Sequence, residues 1–310
     1  MVIRNMKELI TDIKNLELET IKNLRNSKSA NTLRAYRSDY NDFLEFCSKN
    51  GFQSMPTQPK ILALYITHLS SYSKYSTLKR RLASISVIHK AKGHYIDTKH
   101  PIIMENLMGI KRTNGSNQKG KKPLLINDLK LIIKAIDQSK EKDNRKIRDK
   151  ALLLIGFSGG FRRSELVDIE YEDIEFVSEG VKIFVKRSKT DQSGEGMTKA
   201  IPYFDNKDFC PVIALKNWIE ITALRNGKIF NISDKNVALL IKKYASYAGL
   251  ESHKYAGHSL RSGFATSTAE SGAEERSIMA MTGHKSTEMV RRYIKEANLF
   301  KNNALDKVKI

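Results

Sequence analysis

Residues 111–123, Lys-Arg-Thr-Asn-Gly-Ser-Asn-Gln-Lys-Gly-Lys-Lys-Pro, carry no apolar side chain of any size. A run of 13 such residues has nothing to bury, and Gly, Ser and Asn favour turns over regular structure. Patterned sequence on both sides is therefore expected to build two separate cores. The alternative is a surface loop inside one domain. The change in charge across the segment favours a boundary, and 310 residues suit two domains of about 150 each. The chain then divides into an extension (1–28), a first unit (29–110), a basic linker (111–123), a second unit (124–297) and a tail (298–310).

The net charge is +20, from 54 Lys and Arg against 34 Asp and Glu. Up to Lys122 there are 22 basic and 9 acidic residues; beyond it the numbers are 32 and 25. Such an excess points to a polyanion, nucleic acid being the commonest. The competing explanation is a lysine-rich genome. No stretch approaches the ~18 apolar residues of a membrane span. The start, Met1 to Glu8, has no apolar segment of a secretion signal. Cys47 and Cys210 are too few for a disulfide framework or a cysteine zinc site, and suit a reducing compartment.

The first unit reads as a helical bundle. Leu33, Tyr36, Tyr40, Phe43, Leu44 and Cys47 fall at helical steps of three and four. Pro59 suits the first turn of a second helix ending near Ser70. A third runs from about Thr77 to Lys92, with Leu78, Leu82, Ile85 and Ile88 inward and Gly93 as its cap. A fourth begins near Pro101. Lys79, Arg80, Arg81, Lys90 and Lys92 lie opposite the third stripe, as phosphate contacts or as a solvated face.

The second unit is mixed. Asn127 is placed to cap a helix through about Gln138, and a buried helix spans Arg148 to about Phe157. Ser158-Gly-Gly160 breaks it, and a short helix starts near Arg163. Residues 181–185 and 199–203 read as strands flanking a polar turn, 189–196. Pro211 opens a helix to about Arg225, and further helices are expected around 234–248, 259–270, 274–281 and 286–295.

Three local patterns carry chemistry. In Gly159-Gly-Phe-Arg162-Arg-Ser-Glu165-Leu, Arg162 begins a helix with Glu165 one turn on, which alone is an ordinary helical ion pair. In Gly257-His258-Ser-Leu-Arg261, the i, i+3 spacing puts His258 and Arg261 on one face near a helix start, suited to an anion. Gly283-His284 precedes Tyr293 by nine residues, yet a random tyrosine is usually core or surface.

Taken in this order, the patterns resemble the tyrosine site-specific recombinases, or phage-type integrases. Phe161-Arg162-Arg-Ser-Glu165-Leu resembles that family's first arginine box, and His258-Ser-Leu-Arg261 with Gly-His284 its second. Tyr293 in Met289-Val-Arg-Arg-Tyr293-Ile resembles its nucleophile. Ser188-Lys189-Thr190 is similar to the hairpin that carries its lysine. Thr32-Leu-Arg34-Ala-Tyr36 is similar to the opening of its core-binding domain. Ser262 stands where many relatives have a second histidine. The short extension suggests a simple Cre- or Xer-like layout without a separate arm-binding domain.

The resemblance implies a mainly α fold with a small antiparallel β-sheet: a helical core-binding bundle joined to a catalytic domain, the two clamping DNA. It implies that Arg162 and Arg261 grip the scissile phosphate, with His258 and His284 adding hydrogen-bond donors and Glu165 orienting the first arginine. Arginine forks match the non-bridging oxygens and their growing charge. Tyr293 would attack, helped by the cationic pocket and by His258 as proton acceptor. Lys189 would protonate the leaving 5′-oxygen; register leaves Lys186, Arg187 and Lys199 open as rivals. Tyr244, Tyr247 and Tyr255 compete with Tyr293; the first two suit a helix core, and Tyr255 lies three residues before His258. Arg34, Lys79, Arg80 and Arg81 are expected to touch DNA.

No metal or cofactor is expected: there is no Walker loop, no G-x-G-x-x-G and no clustered carboxylates for magnesium. The expected partner is double-stranded DNA at a specific site, with a homo-tetramer on paired sites, no membrane, and a prokaryotic cytoplasmic location. In the tail, Leu299, Phe300, Ala304, Leu305 and Val308 form a short amphipathic segment that docks on a neighbouring protomer or folds back on its own domain. The alternatives are a DNA-binding protein without strand transfer, and a type IB topoisomerase.

Overall fold

The computed structural model describes residues 13–20, 22–23, 27–116, 120–188, 191 and 194–297. Lys189 and the tail 298–310 lie outside them. The chain divides into two compact units, residues 1–119 and 120–310. Residues 13–20 are helical.

The first unit has four further helices: α1 (Ala30–Lys49), α2 (Pro59–Ser70), α3 (Tyr75–Ala91) and α4 (Pro101–Asn114). Ser29 caps α1, its hydroxyl accepting from the Thr32 amide at 3.2 Å. Helix α1 packs on α3, and α2 on α4. Phe43, Leu62, Leu69, Leu78, Ile85 and Ile103 are fully buried between them. The α1 stripe is not buried throughout, because Leu33 at its start remains 43% exposed. Helix α4 runs four residues into the basic segment, held there by Thr113 Oγ1 to the Gly109 carbonyl (3.1 Å) and Asn114 Nδ2 to the Ser70 carbonyl (2.9 Å).

The second unit contains α5 (Ile126–Gln138), α6 (Asp143–Ser158), α7 (Arg163–Asp168), β1 (Ile174–Phe176), β2 (Gly180–Val185), β3 (Met197–Pro202), α8 (Pro211–Thr222), α9 (Asp234–Tyr247), α10 (Ser259–Glu270), α11 (Glu275–Thr282) and α12 (Thr287–Ala297). Every residue from Ala151 to Ser158 of α6 is buried, so this helix is the axis of the core. Helices α8 and α10 pack against it. The sheet is antiparallel in the order β1-β2-β3, with Ile183 opposite Lys199 and Val181 opposite Ile201. Alternation therefore turns Val181, Ile183, Val185, Lys199 and Ile201 to the buried face. A lysine in that row is the exception on which the site turns.

Candidate active site

Helix α6 ends in the turn Gly159-Gly160-Phe161. Gly160 has φ 55°, a left-handed conformation that glycine adopts without strain. Phe161 is buried beneath the turn. Arg162 then stands at the N-cap of α7, and Glu165, three residues on, folds its carboxylate back over it. Its carboxylate accepts from the Arg162 amide at 3.0 Å and from Arg162 Nη1 at 2.6 Å. Glu165 is only 5% exposed. This is a buried, charge-assisted pair, not the exposed helical pair that local spacing allowed; removing one partner of such a pair costs about 3–5 kcal/mol.

Arg261 comes from the first turn of α10 and is 4% exposed. Its Nη1 donates to the Gly160 carbonyl at 3.0 Å. Its Nη2 is buried and has no partner among the described residues. An orphaned guanidinium donor is costly unless something fills it, and a phosphate oxygen is the matching group. Burial, and then the nearby Arg162, lower the Arg261 guanidinium to about 10, against Glu165 and Tyr293. A Cβ on Gly257 would sit 1.6 Å from Arg163 Cδ, so a larger residue there would make the Arg163 side chain shift.

His258 is exposed at the N-cap of α10, and its carbonyl accepts from Ser262 Oγ at 2.9 Å. Ser262 thus has a local helix-start partner. His284 follows α11, with Nδ1 2.8 Å from Thr282 Oγ1. The Thr282 hydroxyl donates its one proton to the Ile278 carbonyl at 2.6 Å, so His284 Nδ1 carries hydrogen and Nε2 holds the lone pair. Burial first, then Arg261, Arg162 and Lys199, lower His284 to about 4, with Glu165 opposing. The ring is therefore neutral at pH 7. Tyr293 on α12 stands 6.2 Å from it, centroid to centroid, and packs half-buried beside Ala265, Ala269, Ile278 and Val290.

Lys199, read from the sequence only as a rival to Lys189, has a place that sequence patterns did not reveal. It is fully buried, and its Nζ donates to the Gly159 carbonyl (2.7 Å) and the Met281 carbonyl (2.5 Å) above the Phe161 ring. Burial first, then Arg261 and Arg162 against the opposing Glu165, lower its amine to about 7. The signal for it was a basic residue two before Ile201 on an inward strand row. Arg162, Glu165, Lys199, Arg261, His284 and Tyr293 thus share one cationic pocket.

The rival groups are engaged elsewhere. Tyr244 is buried and donates to Asp149 at 2.8 Å; Tyr255 is buried and donates to Asp128 at 2.9 Å. Tyr247 is 56% exposed and stacks edge-on against Tyr244. Lys186 pairs with Glu170 and with Asp173 at 3.0 Å, which raises its amine. In the first unit Lys79 and Arg34 are exposed, Arg34 donating to Asn31 at 3.1 Å. Arg80 pairs with buried Asp39, while Arg81 pairs with Asp42 and donates to Tyr65 at 2.7 Å. Arg81 therefore braces the bundle, and the basic face is narrower than the helix stripe alone implied. Among the described residues, no group of three or more His, Cys, Asp or Glu is placed to hold a metal ion, and no helix is long and apolar enough to cross a membrane.

Two guanidiniums, a neutral imidazole and a phenol around one buried open donor make a pocket suited to phosphoryl transfer from a phosphodiester. The chain belongs to the phage integrase family, the tyrosine site-specific recombinases: residues 123–299 match the model described as Phage integrase family. It is 41% identical to the "Integrase/recombinase xerD homolog" of Selenomonas ruminantium over 323 residues, covering 99% of this chain and 93% of that one. It is 26% identical to the "Tyrosine recombinase XerC" of Syntrophus aciditrophicus (strain SB), covering 89% and 91%. The fold matches XerH site-specific recombinase bound to a palindromic difH substrate, with TM-score 0.69, 18% identity, and 92% and 84% of the two chains covered. It also matches a lambda integrase (75-356) dimer bound to a COC′ core site, with TM-score 0.59, 20% identity, and 94% and 98% covered.

Proposed function

We propose that this recombinase cuts and rejoins double-stranded DNA at a specific site through a 3′-phosphotyrosyl intermediate formed by Tyr293. The observation that carries this reading is the buried, unpartnered Nη2 of Arg261 beside the Arg162–Glu165 pair. The two arginines bind the non-bridging oxygens and stabilise the added charge of the pentacoordinate transition state. The Tyr293 oxygen attacks phosphorus; its proton passes to His258, and Lys189 protonates the departing 5′-oxygen. Neutral His284 adds a hydrogen-bonding group beside the tyrosine. The phosphotyrosyl link conserves the phosphodiester's energy, so rejoining calls for neither ATP nor metal.

Exchange between two duplexes calls for four such sites. The proposed assembly is a homo-tetramer on paired sites, joined by the tail 298–310 in head-to-tail contacts that close into a ring. A lambda integrase tetramer bound to a Holliday junction shares this fold, with TM-score 0.55. The bacterial sources of the relatives support action on DNA in a prokaryotic cytoplasm. A duplex selected by the wild-type protein from a randomised pool, then nicked beside the cleavage position, should trap a covalent protein–DNA product. Tight, site-selective binding with no adduct would return the chain to the class of non-catalytic DNA-binding proteins. Supercoil relaxation without site preference would indicate a topoisomerase.

A further inference from the structure

The geometry points to Lys199 as a positioning residue: it fixes the glycine turn that aims Arg162 and ties it to the end of α11 that carries His284. This rests on the catalytic reading above. A buried lysine needs partners for its N–H groups, and the two that it has are informative. Gly159 is the C-cap of α6 and Met281 lies in the last turn of α11, so both carbonyls are among those that a helix end leaves without an intrahelical partner. The negative ends of two helices thus converge on one Nζ. The next carbonyl along, that of Gly160, is taken by Arg261 Nη1 at 3.0 Å. Two consecutive carbonyls of one turn are therefore held by two different basic side chains. One comes from β3 and the other from α10.

The same contacts argue against Lys199 as the proton donor. Its nitrogen is wholly enclosed, and two of its N–H bonds are already taken by the carbonyls of two helix ends. Burial first, and then Arg261 and Arg162 against Glu165, weaken its charged form. The side chain is a strut between backbone segments. Lys189, outside the described residues and between β2 and β3 in sequence, is left as the candidate acid.

Lys199→Met keeps the length and fills the volume but removes both donors; Lys199→Arg restores donors. The full chain is assayed for single-turnover cleavage on the selected, nicked duplex, with ordinary DNA and with a 5′-bridging phosphorothiolate whose thiolate leaves without a proton. Formation of the adduct by the wild type secures the catalytic reading first. Lys199→Met should stay folded in a thermal melt and bind DNA within about threefold of the wild type. It should cleave both substrates at least tenfold more slowly, and Lys199→Arg should recover most of the loss. By contrast, Lys189→Ala should be rescued by the sulfur substrate. Four results overturn the proposal. Wild-type cleavage by Lys199→Met means that the donors do nothing. Rescue of Lys199→Met by sulfur makes Lys199 the acid. Unfolding of both variants, or Met serving better than Arg, leaves a core support only.

Discussion

Thr282 decides which nitrogen of His284 carries the proton. Its hydroxyl hydrogen goes to the Ile278 carbonyl, so its oxygen accepts from His284 Nδ1, and the Nε2 lone pair stays open. Ring nitrogen shifts from NMR should show Nδ1–H at pH 7 in the wild type and a tautomer mixture in Thr282→Val. A predominant Nε2–H form in the wild type would contradict the assignment.

The same histidine makes stability depend on pH. It titrates at about 4 in the fold against 6.5 when unperturbed, so between these values the unfolded chain holds a proton that the folded chain lacks. Its contribution is complete above pH 6.5 and is lost as pH falls toward 4. The urea midpoint of the wild type should drop between pH 7.5 and pH 5, and His284→Gln should reduce that drop. Equal drops in both proteins would place the titrating groups elsewhere.

Tyr293→Phe should fold, bind the selected duplex as the wild type does, and form no covalent adduct. The ring keeps its packing on Ala265, Ala269, Ile278 and Val290 and loses only the oxygen. Adduct at wild-type yield would move the nucleophile to another tyrosine.

Arg162→Ala and Arg261→Ala should each lower the cleavage rate by about two orders of magnitude or more, the scale of one electrostatic donor. Affinity should change little, because other basic residues hold the backbone. Parallel, large losses in binding and rate would assign them to general DNA contact.

Removing residues 298–310 should spare binding of one protomer to a half-site but abolish the tetrameric complex on paired sites. Native-gel mobility with full-site DNA reads this out. An unchanged tetramer would rule out docking by the tail.

Much of the fold was legible because periodicity reports burial directly. Pro59, Pro101 and Pro211 marked three helix starts, each standing at a first turn. What escaped depended on distant partners. Asn127 looked like a cap, yet Leu125 holds that place, two residues earlier, with the Ile126 amide satisfied by Ser267 Oγ of α10 at 3.1 Å. The first two turns of α6 are polar, so only its buried end showed. Strand β1 has three residues, too few for an alternation to register. Arg162, Arg261, His284 and Tyr293, which the fold brings together, stood out in the sequence as an ordered set of motifs. Lys199 was not, because its meaning lies in carbonyls 40 and 82 residues away. The pairing of Arg80 and Arg81 with aspartates of another helix was hidden for the same reason.

The small cluster of Ala265, Ala269, Ile278 and Val290 that supports Tyr293 is separate from the main core of the second unit. Arg162 and Arg261 are rooted in that main core through the neighbouring Phe161 and Leu260, whereas Tyr293 rides on a minor one. Cooperative units of unequal size open at unequal free energies. Helix α12 is therefore set to exchange its amide hydrogens faster than α6 or the start of α10. The two arginines thus stand on the durable part of the unit, and Tyr293 on the part that opens more easily.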